Sequence, residues 1–363
     1  MVILHTETLK HWGGQQNRIL IEAAGLNKMG HRVIIACRRG SVLALKAKEA
    51  GITVYELNMV KQAHLSNVPK LMRIIKNEGV DIVATHSSVD SWAGGMAAKL
   101  SGRRLIRFRH NLYPIGRDPL TRFIYAIPDK LIAISNTVRD TMTGYGLKRE
   151  RIRVIPDAVD IKRFSPKTDG LRQELNIPPE TIVIGNTSSF TKVKGQESLL
   201  QAFNILHEKQ GQTPYALLFA VRLNEPMKSR FLSLVKEDLR SRVIFLGHRD
   251  DIPSVLKTID IFVFPSMVEG LGTSLIEAMA MERPAAVSDI STFRDFIKDG
   301  VNGLFFRTGD PEDIAEKISY INGNVPLKTE LGKNARTTVL ERFTLDSMLD
   351  NTLTSYKEAL NGR

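Results

Sequence analysis

Short apolar runs of strand length alternate along the chain with longer stretches in which apolar residues recur every three or four positions. Residues 2–6 form the first run. Residues 15–29 then place Ile19, Leu20, Ala23, Ala24 and Leu26 at helical spacing, with Gly30 positioned as a C-terminal cap. Further strands are predicted at 32–37, 52–55, 81–85, 104–108 and 130–134, with helical segments between them. The rhythm lapses around 154–160, where Pro156, Pro166 and the polar stretch 165–170 suit a linker. It resumes with strands at 181–186, 216–220, 243–246, 260–264 and 284–287. A helix at 196–207 presents Leu199, Leu200, Phe203 and Leu206 on one face, and a last helix at 345–360 has no strand after it. Continuous apolar strands alternating with helices define an α/β chain with parallel sheets covered on both faces. The expectation is two doubly wound Rossmann-like domains facing across a cleft. The first spans 1–165 plus the returning C-terminal segment 345–363, and the second spans 166–344. In such sheets ligands bind beyond the carboxyl ends of the strands, which directs attention to the loops that follow them.

The length of 363 residues agrees with two domains at roughly 150 residues each. With 42 % apolar and 25 % charged residues, a disordered or fibrous chain is excluded. Cys37 is the single cysteine, so no intramolecular disulfide forms and a reducing compartment is expected. No apolar run reaches the roughly 18 residues of a membrane span. The start, MVILHTE, lacks the basic residues and long apolar stretch of a signal peptide. A cytoplasmic protein is therefore expected. Charge changes the picture more. The net of +12 is unevenly spread: residues 1–165 carry 27 basic against 13 acidic side chains, and residues 166–363 carry 24 against 26. The first half thus points to an acidic partner, whether nucleic acid, anionic membrane or phosphorylated substrate.

Four strand-end loops carry candidate chemistry. Residues 11–18 contain Gly13 and Gly14 where a helix opens, an arrangement that lets backbone N–H groups meet an anion. It equally suits a plain strand-to-helix turn. His86 and His110 each follow a strand, although lone histidines are more often structural. Residues 188–195 bring Lys194 and Gly195 to a helix start, suited to a phosphate or to a solvated turn. Residues 264–280 carry most weight. A buried strand enters a loop with Glu269, Gly270 and Gly272, and the loop opens a helix bearing Glu277 among Leu275, Ile276, Ala278 and Met279. A carboxylate accepts from two hydroxyls at once, which suits a ribose or a hexose, and one on so apolar a helix needs a partner. The chain has no G-x-G-x-x-G fingerprint, no Walker A sequence and no zinc-ligand spacing, which argues against a dinucleotide oxidoreductase, a P-loop nucleotidase and a zinc enzyme.

At this last loop the sequence resembles the group-1 (family 4) retaining glycosyltransferases of GT-B fold. Gly13-Gly14 with residues 30–33, the stretch 154–160 with Phe164 and Pro166, Lys194-Gly195, residues 245–247 and residues 260–265 follow the family's pattern in order. The resemblance implies catalytic roles for Glu269 at hydroxyls of the donor sugar, His110 near the reacting carbon, and Lys194 at the leaving diphosphate. It implies donor binding by Gly13, Gly14, Ser189, Gly270, Leu271, Gly272 and Thr273, and by Glu277 at the ribose. It further implies no metal and no cofactor, a nucleotide diphosphate sugar (UDP-, GDP- or ADP-linked) as co-substrate, and front-side attack with retention in which the leaving phosphate takes the acceptor's proton. Without a metal, cationic side chains and a helix dipole must stabilise the departing charge. The acceptor implied is a glycan or lipid-linked glycan of cell-surface polysaccharide or lipopolysaccharide-type synthesis.

Three positions depart from that pattern. Ser189 stands where the family has an arginine, with Lys192 or Arg222 as the nearest replacement cations. Asp157-Ala158 replaces Asn-Gly, and Val221-Arg222-Leu223 replaces Gly-x-Gly. The basic half falls on the domain that the resemblance assigns to the acceptor. There His86, Arg107 and Arg109 are candidate acceptor contacts. Arg103, Arg104, Arg117 and Arg122 beside Phe123, Ile124 and Tyr125 suit an anionic inner membrane face, at ~1 kcal/mol per basic residue close to the surface. The alternatives are a nucleotide-sugar epimerase on a similar fold, a nucleic-acid-binding protein suggested by charge alone, and a transferase-like binder without turnover. No nucleic acid is expected as partner, since zinc-finger, RNP and basic coiled-coil patterns are all missing.

Overall fold

The structure is a computed structural model, and it describes residues 1–60, 65–209, 213–221 and 223–362. Arg222 lies outside the described residues. The chain divides into two compact units. The first comprises Met1–Ala158 with Leu345–Arg363, and the second comprises Val159–Thr344. The division falls a few residues before the expected boundary at 165.

The first unit runs β1 (Val2–Glu7), α1 (Gly14–Lys28), β2 (Arg32–Arg38), α2 (Val42–Glu49), β3 (Thr53–Leu57), α3 (Val68–Glu78), β4 (Ile82–Thr85), α4 (Ser88–Leu100), β5 (Arg104–Arg109), α5 (Pro119–Ala126), β6 (Lys130–Ala133), α6 (Asn136–Gly144) and β7 (Ile152–Val154). Its seven strands form one parallel sheet in the order β3-β2-β1-β4-β5-β6-β7. The strands are apolar on both faces because helices cover both. Ile3, Val33, Ile35 and Cys37 pack with Ile19, Ala23, Leu43 and Ala47 of α1 and α2. Their alternate neighbours Leu4, Ile34 and Ala36 pack with Leu71, Ile75, Ala93 and Ala97 of α3 and α4. This is the two-residue period of a strand buried on both sides.

The second unit runs β8 (Ile182–Asn186), α7 (Gln196–Lys209), β9 (Tyr215–Phe219), α8 (Glu225–Leu232), β10 (Val243–Phe245), α9 (Ile252–Thr258), β11 (Ile261–Phe264), α10 (Thr273–Ala280), β12 (Ala285–Ser288), α11 (Ser291–Arg294), β13 (Leu304–Phe306), α12 (Pro311–Gly323) and α13 (Val325–Arg342). Its six parallel strands take the order β10-β9-β8-β11-β12-β13. The last helix, α14 (Leu345–Leu360), belongs to the first unit, where Met348, Leu349, Tyr356 and Ala359 join the α1 side of the core. Two strands lie outside the expected set. They are β7 and β13, each three residues long. Among the described residues, no helix is long and apolar enough to cross a membrane.

Candidate active site

Each sheet reverses its strand order once, between β1 and β4 and between β8 and β11. At such a switch point the loops on either side diverge and leave a crevice at the carboxyl ends. Three of the four loops singled out from the sequence fall there, together with His86, while His110 follows β5 one strand further on.

In the second unit, β8 leads through a short 3₁₀ turn at Lys192–Lys194 into α7, and β11 leads through residues 265–272 into α10. The two loops are tied together. Met267 N–H donates to Val193 O at 2.8 Å, and Asn186 Nδ2 donates to Val263 O at 2.8 Å. Gly195 has φ +67°, and a Cβ there would collide with the Pro265 carbonyl oxygen, so only glycine lets the lysine turn lie against the β11 loop. Lys194 Nζ consequently reaches Glu269 Oε1 at 2.5 Å. The buried Glu269 carboxylate also accepts from Ser266 Oγ at 2.6 Å, and its carbonyl accepts from Thr292 Oγ1 at 2.7 Å. Ser189 is exposed, and its carbonyl is held by Gln196 Nε2 at 2.9 Å.

Gly272 is the N-cap of α10 at φ +94°, with no room for a side chain between Phe264 and Phe293. No side chain caps the helix. Its opening N–H groups at Thr273 and Ser274 therefore carry the partial positive charge of a helix start, directly after Gly270 and Leu271. One turn further, the half-buried Glu277 has no hydrogen-bond or ion-pair partner among the described residues. Loss of hydration raises its pKa to about 7, opposed by the positive charge of Arg163. A carboxylate, a lysine–carboxylate pair and an uncapped helix start thus occupy one strand end, a set able to bind hydroxyls and an anion together.

In the first unit, Gly13 is the exposed N-cap of α1 and Gly14 its first residue, again with no side-chain cap. Beneath this turn Glu7, at the end of β1, accepts from the N–H groups of Thr8 at 2.6 Å and Leu9 at 2.8 Å, and from Gln15 Nε2. Burial, helped by nearby Asp90, raises the Glu7 pKa to about 7. Three histidines line up beside it. His5 Nδ1 lies 2.8 Å from His86 Nε2, and His86 Nδ1 lies 3.0 Å from His110 Nε2, with the rings stacked in sequence. His110 Nδ1 is buried and has no hydrogen-bond partner among the described residues. Burial pulls the His110 pKa down to about 3, with the charge of Arg18 adding to the effect, and lowers those of His5 and His86 as well.

Each of the three expected acceptor contacts has partners within the fold. His86 is 3 % exposed with both ring nitrogens engaged. Arg107 is buried with its guanidinium 3.7 Å from the centre of the Tyr125 ring and bonded to Ile124 O. Arg109 is bonded to Tyr125 Oη at 2.6 Å and to Tyr113 O. All three are held by the protein itself because strands β4 and β5 are covered on both faces, which an apolar run reveals and a single residue within it does not. Sequence reasoning missed His5, Arg18 and Glu22. The spacing of Arg18 and Glu22, four apart and flanking the apolar run Ile19-Leu20-Ile21 with Ala23-Ala24 beyond, was the available signal. Among the described residues no three His, Cys, Asp or Glu side chains converge as metal ligands.

Two Rossmann-like parallel-sheet units, the second with a glycine-rich turn between two glutamates, define the GT-B class of glycosyltransferases. The chain belongs to the group-1, family 4 glycosyltransferases: the family model described as glycosyl transferases group 1 matches residues 167–338, and that described as glycosyltransferase family 4 matches residues 12–163. Among solved structures it is similar to a glycosyltransferase from Rickettsia africae, with 25 % identity, a TM-score of 0.90, and coverage of 100 % of this chain and 99 % of that one. It also shares the fold of Anabaena HepE, solved in complex with UDP, with 19 % identity, a TM-score of 0.86, and coverage of 99 % and 100 %. Among curated relatives it is 24 % identical over 309 residues to the Escherichia coli UDP-Gal:alpha-D-GlcNAc-diphosphoundecaprenol alpha-1,3-galactosyltransferase, covering 79 % of this chain and 77 % of that protein.

Proposed function

We propose that this glycosyltransferase moves a sugar, with retention and without a metal, from a nucleotide diphosphate sugar to a lipid-linked or polysaccharide glycan. One observation carries the reading: in the second unit the Lys194–Glu269 pair and the unpartnered Glu277 bracket the uncapped start of α10. Glu277 takes the ribose hydroxyls. The N–H groups of Gly270, Leu271, Gly272 and Thr273 and the side chain of Lys194 take the diphosphate, and Ser189 lies beside it. Glu269, released from Lys194 when phosphate arrives, takes hydroxyls of the sugar. Gly13 and Gly14 serve the same diphosphate and His110 the same sugar. As the bond to the sugar breaks, negative charge grows on the diphosphate, where Lys194 and the helix start are already oriented. The phosphate oxygen takes the acceptor's proton as the new bond forms on the same face, so no enzymic nucleophile is used.

The relatives' names support the donor and acceptor classes. The Escherichia coli relative uses UDP-Gal and a diphosphoundecaprenol-linked acceptor, and a Campylobacter jejuni relative, 26 % identical over 299 residues, is named for a diphospho-undecaprenol acceptor. A peripheral place on an anionic inner membrane face fits α5, where Leu120 is 66 % and Phe123 is 52 % exposed beside exposed Arg117 and Arg122. The test is transfer of labelled sugar from a panel of UDP-, GDP- and ADP-sugars to a polyprenyl-diphosphate-linked sugar, with and without chelator, and proton NMR of the product's anomeric proton. Transfer that survives chelation with the donor's anomeric configuration kept is expected. An inverted product refutes retention, and donor isomerisation without acceptor turns the reading to epimerase.

A further inference from the structure

His110 does not stand alone, and the groups behind it decide which of its ring nitrogens carries the proton. Strand β1 is buried on both faces, so His5 shares the face of Ile3, toward α1 and α14. There its Nε2 makes no hydrogen bond but lies 3.6 Å from Glu22 Oε1, within reach of its charge, with both side chains fully buried. Glu22 accepts from Arg18 Nε at 2.9 Å and from Tyr356 Oη at 2.6 Å, and Arg18 also donates to Asp157 Oδ1 at 3.1 Å and Thr352 Oγ1 at 3.1 Å. A carboxylate held this way is an acceptor only. A lone pair on His5 Nε2 would face it in a dry interior, whereas an N–H is attracted to it. The proton of neutral His5 therefore sits on Nε2, and His5 Nδ1 is an acceptor. His86 must donate to it from Nε2, which leaves His86 Nδ1 an acceptor, and His110 must in turn donate from Nε2.

We propose that His5 and His86 are positioning residues that transmit the polarity of Glu22 to His110, fixing it as the Nε2–H tautomer with a bare Nδ1 acceptor for a hydroxyl of the transferred sugar. The functional half rests on the reading of His110 given above; the tautomer itself does not. The geometry explains why His110 Nδ1 is buried and unpaired within the protein: an acceptor there binds a sugar hydroxyl and rejects a deoxy analogue.

The experiment is long-range proton–nitrogen NMR on protein labelled at the histidine rings, with His110 assigned through His110→Asn. An unprotonated Nδ1 on His110 is expected, and a protonated Nδ1 overturns the proposal whatever the activity. Glu22→Gln offers an amide N–H to His5 Nε2 and is expected to reverse the chain, giving Nδ1–H on His110 and at least a tenfold fall in kcat, with the Kd for UDP unchanged. His86→Phe keeps a flat ring in the stack but breaks the relay, and the same split of kcat from UDP affinity is expected. If His86→Phe keeps native kcat while His110→Ala loses it, the relay has no role and the proposal falls. If His110→Ala keeps native kcat, the donor-sugar reading of His110 fails, and the tautomer is judged by the spectrum alone.

Discussion

Glu277 offers the sharpest test, because its environment and its role pull in opposite directions. On the proposed reading it accepts from two ribose hydroxyls and must be ionised, yet burial without a partner raises its pKa to about 7. Binding of a nucleotide sugar then requires the protein to lose a proton at low pH. With a pKa near 7, the ionised fraction is about nine-tenths at pH 8 and about one-tenth at pH 6. The apparent Kd is therefore expected to rise about tenfold across that interval, about 1.4 kcal/mol. The assay is calorimetric titration with UDP-glucose, whose phosphates do not titrate in this range. Glu277→Gln should bind weakly at every pH and lose the dependence. Replacing Arg163 by Gln removes the charge that holds the pKa down and should move the midpoint upward. Stability runs the other way. A carboxyl with a raised folded-state pKa adds nothing below the unfolded value of about 4.5, costs increasingly between there and about 7, and costs a constant amount above that. Glu277→Gln should therefore raise Tm at pH 8 and leave it unchanged at pH 4. A native affinity that is flat between pH 6 and 8, or equally sloped in Glu277→Gln, refutes the reasoning.

Three further outcomes are expected. Lys194→Met removes the cation proposed to meet the leaving group and should lower kcat by about 10²–10³-fold in steady-state kinetics, the loss typical of one transition-state donor. Ser189→Arg places a charge in an exposed loop beside the same phosphates, and should tighten UDP binding by about 1 kcal/mol, once solvent screening is allowed for, in calorimetric titration. Arg18→Met strips a fully buried cation from Glu22 and Asp157 and should destabilise the protein by about 3–5 kcal/mol in chemical denaturation, because two carboxylates are left without their partner.

The alternation of strands and helices was legible because each strand here is buried on both faces, so its apolar run is unbroken. The strand ends, and with them Gly13, Lys194, Glu269 and Glu277, followed from that periodicity and from glycine placement. What the sequence concealed was the environment of polar residues inside the runs. His5 reads as one letter in a strand, and nothing local says that it meets His86, 81 positions away, or that Glu22 meets Tyr356, 334 positions away. The partners of His86 and Arg107 were hidden for the same reason. Their polarity suggests a surface, whereas a histidine ladder in one case and the Tyr125 ring in the other satisfy them within the fold.

The return of α14 to the first unit has a consequence in the order of synthesis. Residues 345–362 leave the ribosome after every residue of the second unit, which can therefore close first even though it lies later in the chain than β1 to β7. Until α14 arrives, Glu22 lacks Tyr356 and Arg18 lacks Thr352. The nascent first unit then carries its charged cluster open to water. A helix made after the whole second unit thus completes the surroundings of a cluster that begins in the first strand, and a chain lacking residues 345–362 would leave that cluster open while Glu269 and Glu277 remained in place.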